Sequence, residues 1–299
     1  MLDRGRHWSL KVLAHNQNFL GLADEFSSFE NASSVILPVP GEWTTSYIKG
    51  TARGPQAIIN ASHQVELYDE ELDSEPFRSG IATLPAMDIE RLTHRDALAN
   101  TGLLAQRILE QKKFLITLGG EHSVSIPLVQ AAKRVHDKVT VLQLDAHSDL
   151  RQVYENSSLN HACVMARVEE CCPYVGAGIR SGIQGEREKL GKQSRLFYAH
   201  EMRPDSGWQD EALRHLSDTV YITFDLDFFD PSIMPAVGTP EPGGFLWGET
   251  LAFLREVFTR KNVIGCDVVE LCPAAGLHHA DFLAAKLVYK MIGYSQEDA

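Results

Sequence analysis

The chain has 299 residues, 44% hydrophobic and 23% charged, which describes a folded globular protein and excludes a disordered one. Its formal net charge of −12 argues against nucleic acid or an anionic membrane as partner, because both reward clustered Lys and Arg; a cationic small molecule suits it better. No apolar run reaches the roughly 20 residues of a membrane span, and "MLDRGRHWSLKVLAHNQNF" lacks the apolar segment and cleavage site of a signal peptide, so a cytoplasmic protein is expected.

Residues 1–30 are the least patterned and are expected to form an arm or a short helix ahead of one domain over residues 31–299. Val35 to Val39 is the first predicted strand, followed by the Gly/Pro-rich loop "PVPGEWTTSYIKGTARGP" and a helix from Pro55 to Tyr68. The acidic run "YDEELDSE" reads as a solvated loop. A strand from Gly80 to Leu84, a helix from Ala97 to Gln111, a strand from Phe114 to Leu118 and a helix from Val124 to His136 come next. Further strands are Val139 to Leu144, Tyr174 to Gly178, Leu196 to Tyr198 and Val220 to Phe224. A second Gly/Pro-rich loop, "DPSIMPAVGTPEPGG", precedes a helix from Gly248 to Thr259, a strand from Val263 to Val269 and a helix from Leu277 to Ile292. Alternation of this kind predicts a three-layer α-β-α domain with a mainly parallel sheet of about eight strands. The five cysteines, Cys163, Cys171, Cys172, Cys266 and Cys272, lack paired C-x-x-C spacing and are expected to be reduced thiols, mostly buried.

Four of these strands run into polar clusters. Phe114 to Leu118 leads to "GGEHS" with His122; Val139 to Leu144 leads to Asp145, His147 and Asp149; Val220 to Phe224 leads to Asp225 and Asp227; Val263 to Val269 leads to Glu270. In a parallel sheet these ends share one edge, where ligands bind. Carboxylates so close raise one another's pKa, and divalent cations resolve the conflict. Oxygen-rich ligation with two imidazoles and no thiolate favours manganese over zinc, although zinc, cobalt or nickel could use the same positions. Six ligands exceed the needs of one ion, and two ions together can clamp and acidify a water.

The motifs "GGEHS", "DAHSD" and "FDLDFFDPSIMPAVGTPEPGG", in that order, resemble the metal-binding signatures of the ureohydrolases, the family of arginase and agmatinase, and the likeness runs from about Pro38 to the C-terminus. The resemblance implies an arginase-like fold and two Mn2+ per chain. His122, Asp145, Asp149 and Asp225 would hold one ion, and Asp145, His147, Asp225 and Asp227 the other, with Asp145 and Asp225 bridging. It makes His161 the shuttle that returns a proton to the departing amine and Glu270 the carboxylate that pairs with the guanidinium. Asp267 would orient a ligand from behind, and assembly into a homo-oligomer, a trimer or a hexamer, is implied. These roles also make chemical sense, since charge-assisted hydrogen bonds from a carboxylate fix a flat cation and an imidazole titrates near neutral pH.

The stretches "PVPGEWTTSYIKGTARGPQAI" and "DLRQVYENSSLNHACVM" resemble the agmatinase branch, so the expected reaction is agmatine to putrescine and urea. Arg151 to Glu155 stand where arginases carry a run rich in Asn and Thr or Ser, and Glu155 would meet the second cationic end of a polyamine-like substrate. "PAVGTP" where many members have "PGTGTP", and "LNHAC" around His161, leave substrate preference open. The alternatives are aminopropylagmatine, guanidinobutyrate, arginine or formiminoglutamate as substrate, a single-zinc deacetylase-like enzyme, or a non-catalytic polyamine-binding protein of the same fold.

Overall fold

The structure, a computed structural model, describes residues 10–202 and 206–297. Its centre is an eight-stranded sheet: β1 (Ser34–Val39), β2 (Ile81–Thr83), β3 (Phe114–Gly119), β4 (Thr140–Leu144), β5 (Tyr174–Ile179), β6 (Arg195–Tyr198), β7 (Thr219–Asp225) and β8 (Asn262–Val269). The spatial order is β2-β1-β3-β8-β7-β4-β5-β6, and every neighbouring pair is parallel. The eight predicted strands are therefore all present.

The helices are α1 (Asp24–Ser27), α2 (Gly54–Ser62), α3 (His94–Glu110), α4 (Ser125–Val135), α5 (Val164–Glu169), α6 (Trp208–His215), α7 (Trp247–Arg260) and α8 (His278–Tyr294). Strand residues alternate between two apolar clusters, which makes the three layers. Ile36, Ile116, Leu142 and Ile222 face the cluster built with α2, α6, α7 and α8. Val35, Leu115, Val141 and Tyr221 face the one built with α3, α4 and α5. Strands buried on both faces are what a fully parallel sheet requires. No helix among the described residues is long and apolar enough to cross a membrane.

Three local expectations change. The helix predicted to reach Tyr68 stops at Ser62, whose hydroxyl bonds back to the Ile59 carbonyl and accepts the Leu20 N–H, a local competition that ends helices. Two short helices, α5 and α6, were not among the predicted elements. The acidic run is not merely solvated: Asp69 and Lys290 are both buried and paired at 2.7 Å, with Glu71 completing the clasp on α8 at 2.8 Å. Of the arm expected over residues 1–30, residues 1–9 lie outside the described residues; farther on, Phe19, Leu20 and Leu22 pack into the core. All five cysteines are free, and all but Cys171 are buried.

Candidate metal centre

The four strands that end in polar residues, β3, β8, β7 and β4, are consecutive neighbours in the sheet, so their carboxyl ends form one short stretch of a single edge. Two residues there, Asp149 (φ 50°) and Glu270 (φ 66°), hold left-handed backbone conformations that only surrounding contacts sustain in non-glycine residues. Both are nearly buried.

The six predicted ligands assemble into two adjoining groups. In the first, His122 Nδ1 lies 3.0 Å from Asp149 Oδ2 and 3.3 Å from Oδ2 of both Asp145 and Asp225. In the second, His147 Nδ1 is 2.8 Å from Asp227 Oδ2 and 3.8 Å from Asp145 Oδ1. Asp145 thus turns one oxygen toward each histidine, and His122–Asp145–Asp149 and Asp145–His147–Asp227 each have the spacing of a metal-ligand set. Asp225 is drawn to the His122 side, with its other oxygen accepting the Asp227 N–H at 3.0 Å.

Electrostatics explain why such a cluster calls for cations. Burial, reinforced by the charges of Asp227 and Asp149, pushes Asp145 up to about 7. Burial, Asp227 and Asp145 likewise lift Asp225 well above the carboxylate range. Burial works the other way on the histidines, but Asp227 carries His147 up to about 10, and Asp145 and Asp149 raise His122 well above its ordinary value. Asp227 alone is lowered, by His147 against the effect of burial. A site of this composition holds either protons or cations. His122 Nδ1 is the telling atom: buried, ringed by three carboxylates, and without a properly directed hydrogen bond. A divalent ion would satisfy it, and the donor set fits two: His122, Asp145 and Asp149 would hold one, and Asp145, His147 and Asp227 the other.

The rest of the site orients these groups. His122 Nε2 meets Thr223 Oγ1 at 2.9 Å, and Thr223 donates to Asp267 Oδ1 at 2.7 Å. Asp267, fully buried, also accepts from Ser125 and from the Tyr221 hydroxyl. The expected support of a ligand by Asp267 is therefore indirect: the carboxylate holds Thr223, which accepts the Nε2 proton and leaves the Nδ1 lone pair facing the cluster. Glu270 receives the His122 N–H on Oε1 at 2.6 Å, while Oε2 points toward the place where Gly238 has no side chain. Burial and the nearby charge of Glu121 push Glu270 up to about 8.

His161, half-buried in the 3-10 turn His161–Cys163 that precedes α5, contacts the loop after β1 through Thr44 and Ser46. Glu155 stands apart from the cluster, exposed at the tip of the Tyr154–Ser157 turn with φ 45°, next to Tyr154, whose ring meets His161 edge-on. Sequence reasoning overlooked Glu121, Arg180 and Glu241. Arg180 binds the carbonyls of Gly178, Asp227, Phe228, Phe229 and Glu241, joining the loops after β5 and β7. Glu241 approaches His147 Nε2 at 3.8 Å. Glu121 stands one residue before a ligand, but the side chain that gives it a role, Thr44, lies 77 positions away.

Known proteins resemble this chain over most of its length. The model of the arginase family matches residues 32–293. The chain is 40% identical over 284 residues to the N1-aminopropylagmatine ureohydrolase of a Synechocystis species, covering 91% of this chain and 92% of that protein. It is 32% identical over 269 residues to the agmatinase of Pyrococcus horikoshii, covering 89% and 93% respectively. Among solved structures, the agmatine ureohydrolase of Thermoplasma volcanium superposes with a TM-score of 0.83 at 28% identity, covering 94% of each chain.

Proposed function

The chain belongs to the arginase family, and from that premise we propose that it is a binuclear manganese ureohydrolase acting on the guanidine end of a linear polyamine. It is a hydrolase of guanidino carbon–nitrogen bonds. The observation that carries the two-metal reading is the sharing of Asp145 between two ligand groups 3.3 and 3.8 Å from their histidines.

When bound, the two ions supply an activated water at neutral pH and polarise what they touch. The chain's own groups do the rest. Glu270 offers Oε2 to the guanidinium while its other oxygen is anchored by the His122 N–H, so the cation is held in one plane. Although burial raises Glu270, an arriving guanidinium favours its ionised form. His161 carries a proton to the departing amine nitrogen, and the ring is already held from two sides by Thr44 and Tyr154. The distal end of the substrate leaves toward the exposed turn of Tyr154 and Glu155, where a second ammonium meets a carboxylate.

Agmatine was the substrate expected from the loop sequences. The relative at 40% identity, named for N1-aminopropylagmatine, favours that longer homologue, and the relative at 32%, named agmatinase, supports agmatine as the second reading. Urea release after manganese loading, measured on N1-aminopropylagmatine, agmatine, guanidinobutyrate and arginine, tests this. Highest kcat/KM on a substrate with a distal amine and no carboxylate is expected. Preference for arginine or guanidinobutyrate, or one metal per chain, would refute it.

A further inference from the structure

We propose that Glu121 is a positioning residue for proton transfer: through Thr44 it fixes the His161 imidazole with its proton on Nδ1 and its lone pair on Nε2. This rests on the ureohydrolase reading for its kinetic consequence but not for its structural one.

Hydrogen counting carries the inference. Glu121 is fully buried and surrounded by donors. Its Oε2 accepts the N–H groups of Trp43 and Thr44, each at 2.5 Å. Its Oε1 accepts the Ser123 hydroxyl at 2.5 Å and the Thr44 hydroxyl at 2.8 Å. Backbone N–H groups can only donate, which makes Oε2 an acceptor, and with the Ser123 and Thr44 hydroxyls both turned to Oε1 the carboxylate is met by four donors. Thr44 Oγ1 in turn accepts the His161 backbone N–H at 2.9 Å and lies 3.1 Å from His161 Nδ1. A hydroxyl has one proton. Were it given to Nδ1, Thr44 and Glu121 would face each other lone pair to lone pair at 2.8 Å. The proton therefore goes to Glu121, and Nδ1 must carry its own.

In the neutral ring Nε2 is left as the acceptor, facing the Ser46 hydroxyl at 3.5 Å. That is the atom that can act as base. It gains a proton derived from the attacking water and loses it to the amine nitrogen as the carbon–nitrogen bond breaks, so the imidazole ends as it began. The arrangement follows the logic of an acid that orients a histidine without itself being protonated, with a threonine inserted between them. The turn after β3 thus presents Glu121 to the loop that holds the proton shuttle and the next side chain, His122, to the metal cluster.

The test uses T44V, which keeps the shape and deletes the hydroxyl, T44S, which restores it, and H161N. In 15N-histidine-labelled, zinc-loaded protein, His161 should show the Nδ1–H tautomer, and T44V should move it toward Nε2–H. T44V should lower kcat about ten- to a hundredfold with KM and metal content little changed, because only the transition state uses the oriented nitrogen. T44S should recover most of the loss, and T44V should add less than about threefold in an H161N background. An Nε2–H tautomer in the parent protein, equal losses in T44V and T44S, or full additivity with H161N would each overturn the proposal. If no guanidine yields urea, the functional reading fails and the tautomer measurement still decides this one.

Discussion

Replacing Asp145 should empty both metal positions, whereas replacing His147 should empty chiefly one. Asp145 Oδ2 lies 3.3 Å from His122 Nδ1 and its Oδ1 lies 3.8 Å from His147 Nδ1, so D145A removes a ligand atom from each group. His147 contacts only the second. At a free metal concentration one hundred times its Kd, each ion stabilises the fold by about 2.7 kcal/mol. For a chain of 299 residues that corresponds to about 4 °C in Tm per ion, from the usual unfolding entropy per residue. The parent protein should therefore gain about 9 °C on manganese addition, H147A about 4 °C and D145A close to nothing. Thermal melts with and without manganese, beside elemental analysis after gel filtration, supply both numbers. Equal metal content in D145A and H147A would refute the shared-ligand assignment.

Two further outcomes follow from the charges. In chelator-treated protein Asp145 and Glu270 titrate near 7 and 8, above their ordinary values, so the folded state binds more protons than the unfolded one across that range. His147, raised to about 10, adds stability below its ordinary pKa that is lost as pH rises. The Tm of the stripped protein should thus fall from pH 5 to pH 9, while manganese-loaded protein falls less because the ions stand in for the protons; a stripped protein whose Tm rises over this range would contradict the cluster's electrostatics. Far from the site, K290M leaves Asp69 buried without its cation, a loss of about 3–5 kcal/mol or roughly 5–8 °C. Chemical denaturation should show D69N recovering part of that loss in the double variant; full stability of K290M alone would mean that the clasp contributes nothing.

What could be read from the chain alone was whatever repeats at short range. Each strand announced itself by an apolar run, and Asp145, His147 and Asp149 by polar residues interrupting one, because strand residues two apart share a face. The long helices α3, α4, α7 and α8 were legible for the same reason. The six residues of α5 and the eight of α6 fall below the length at which periodicity distinguishes a helix. Roles set by partners far along the chain left no local trace. Glu121 meets Thr44 across 77 positions and Lys290 meets Asp69 across 221, so one looked like a neighbour of a ligand and the other made its loop look merely solvated.

The glycine pair ahead of Glu121 gives this division a wider meaning. A β-carbon on Gly120 would lie 2.0 Å from the carbonyl oxygen of Gly41, a closeness no rearrangement of side chains can relieve. The loop after β1 is consequently pinned at its root against the strand that delivers His122, while Tyr47, Ile48, Val153 and Ile183, farther out on this and neighbouring loops, stay exposed. Substitution meets two very different terrains here: a junction where a single methyl group is intolerable, and outer tips whose side chains stand in solvent. Substitutions at the tips should therefore leave the spacing between His161 and the His122 cluster as it was, since the junction that sets it lies at the root of the loop.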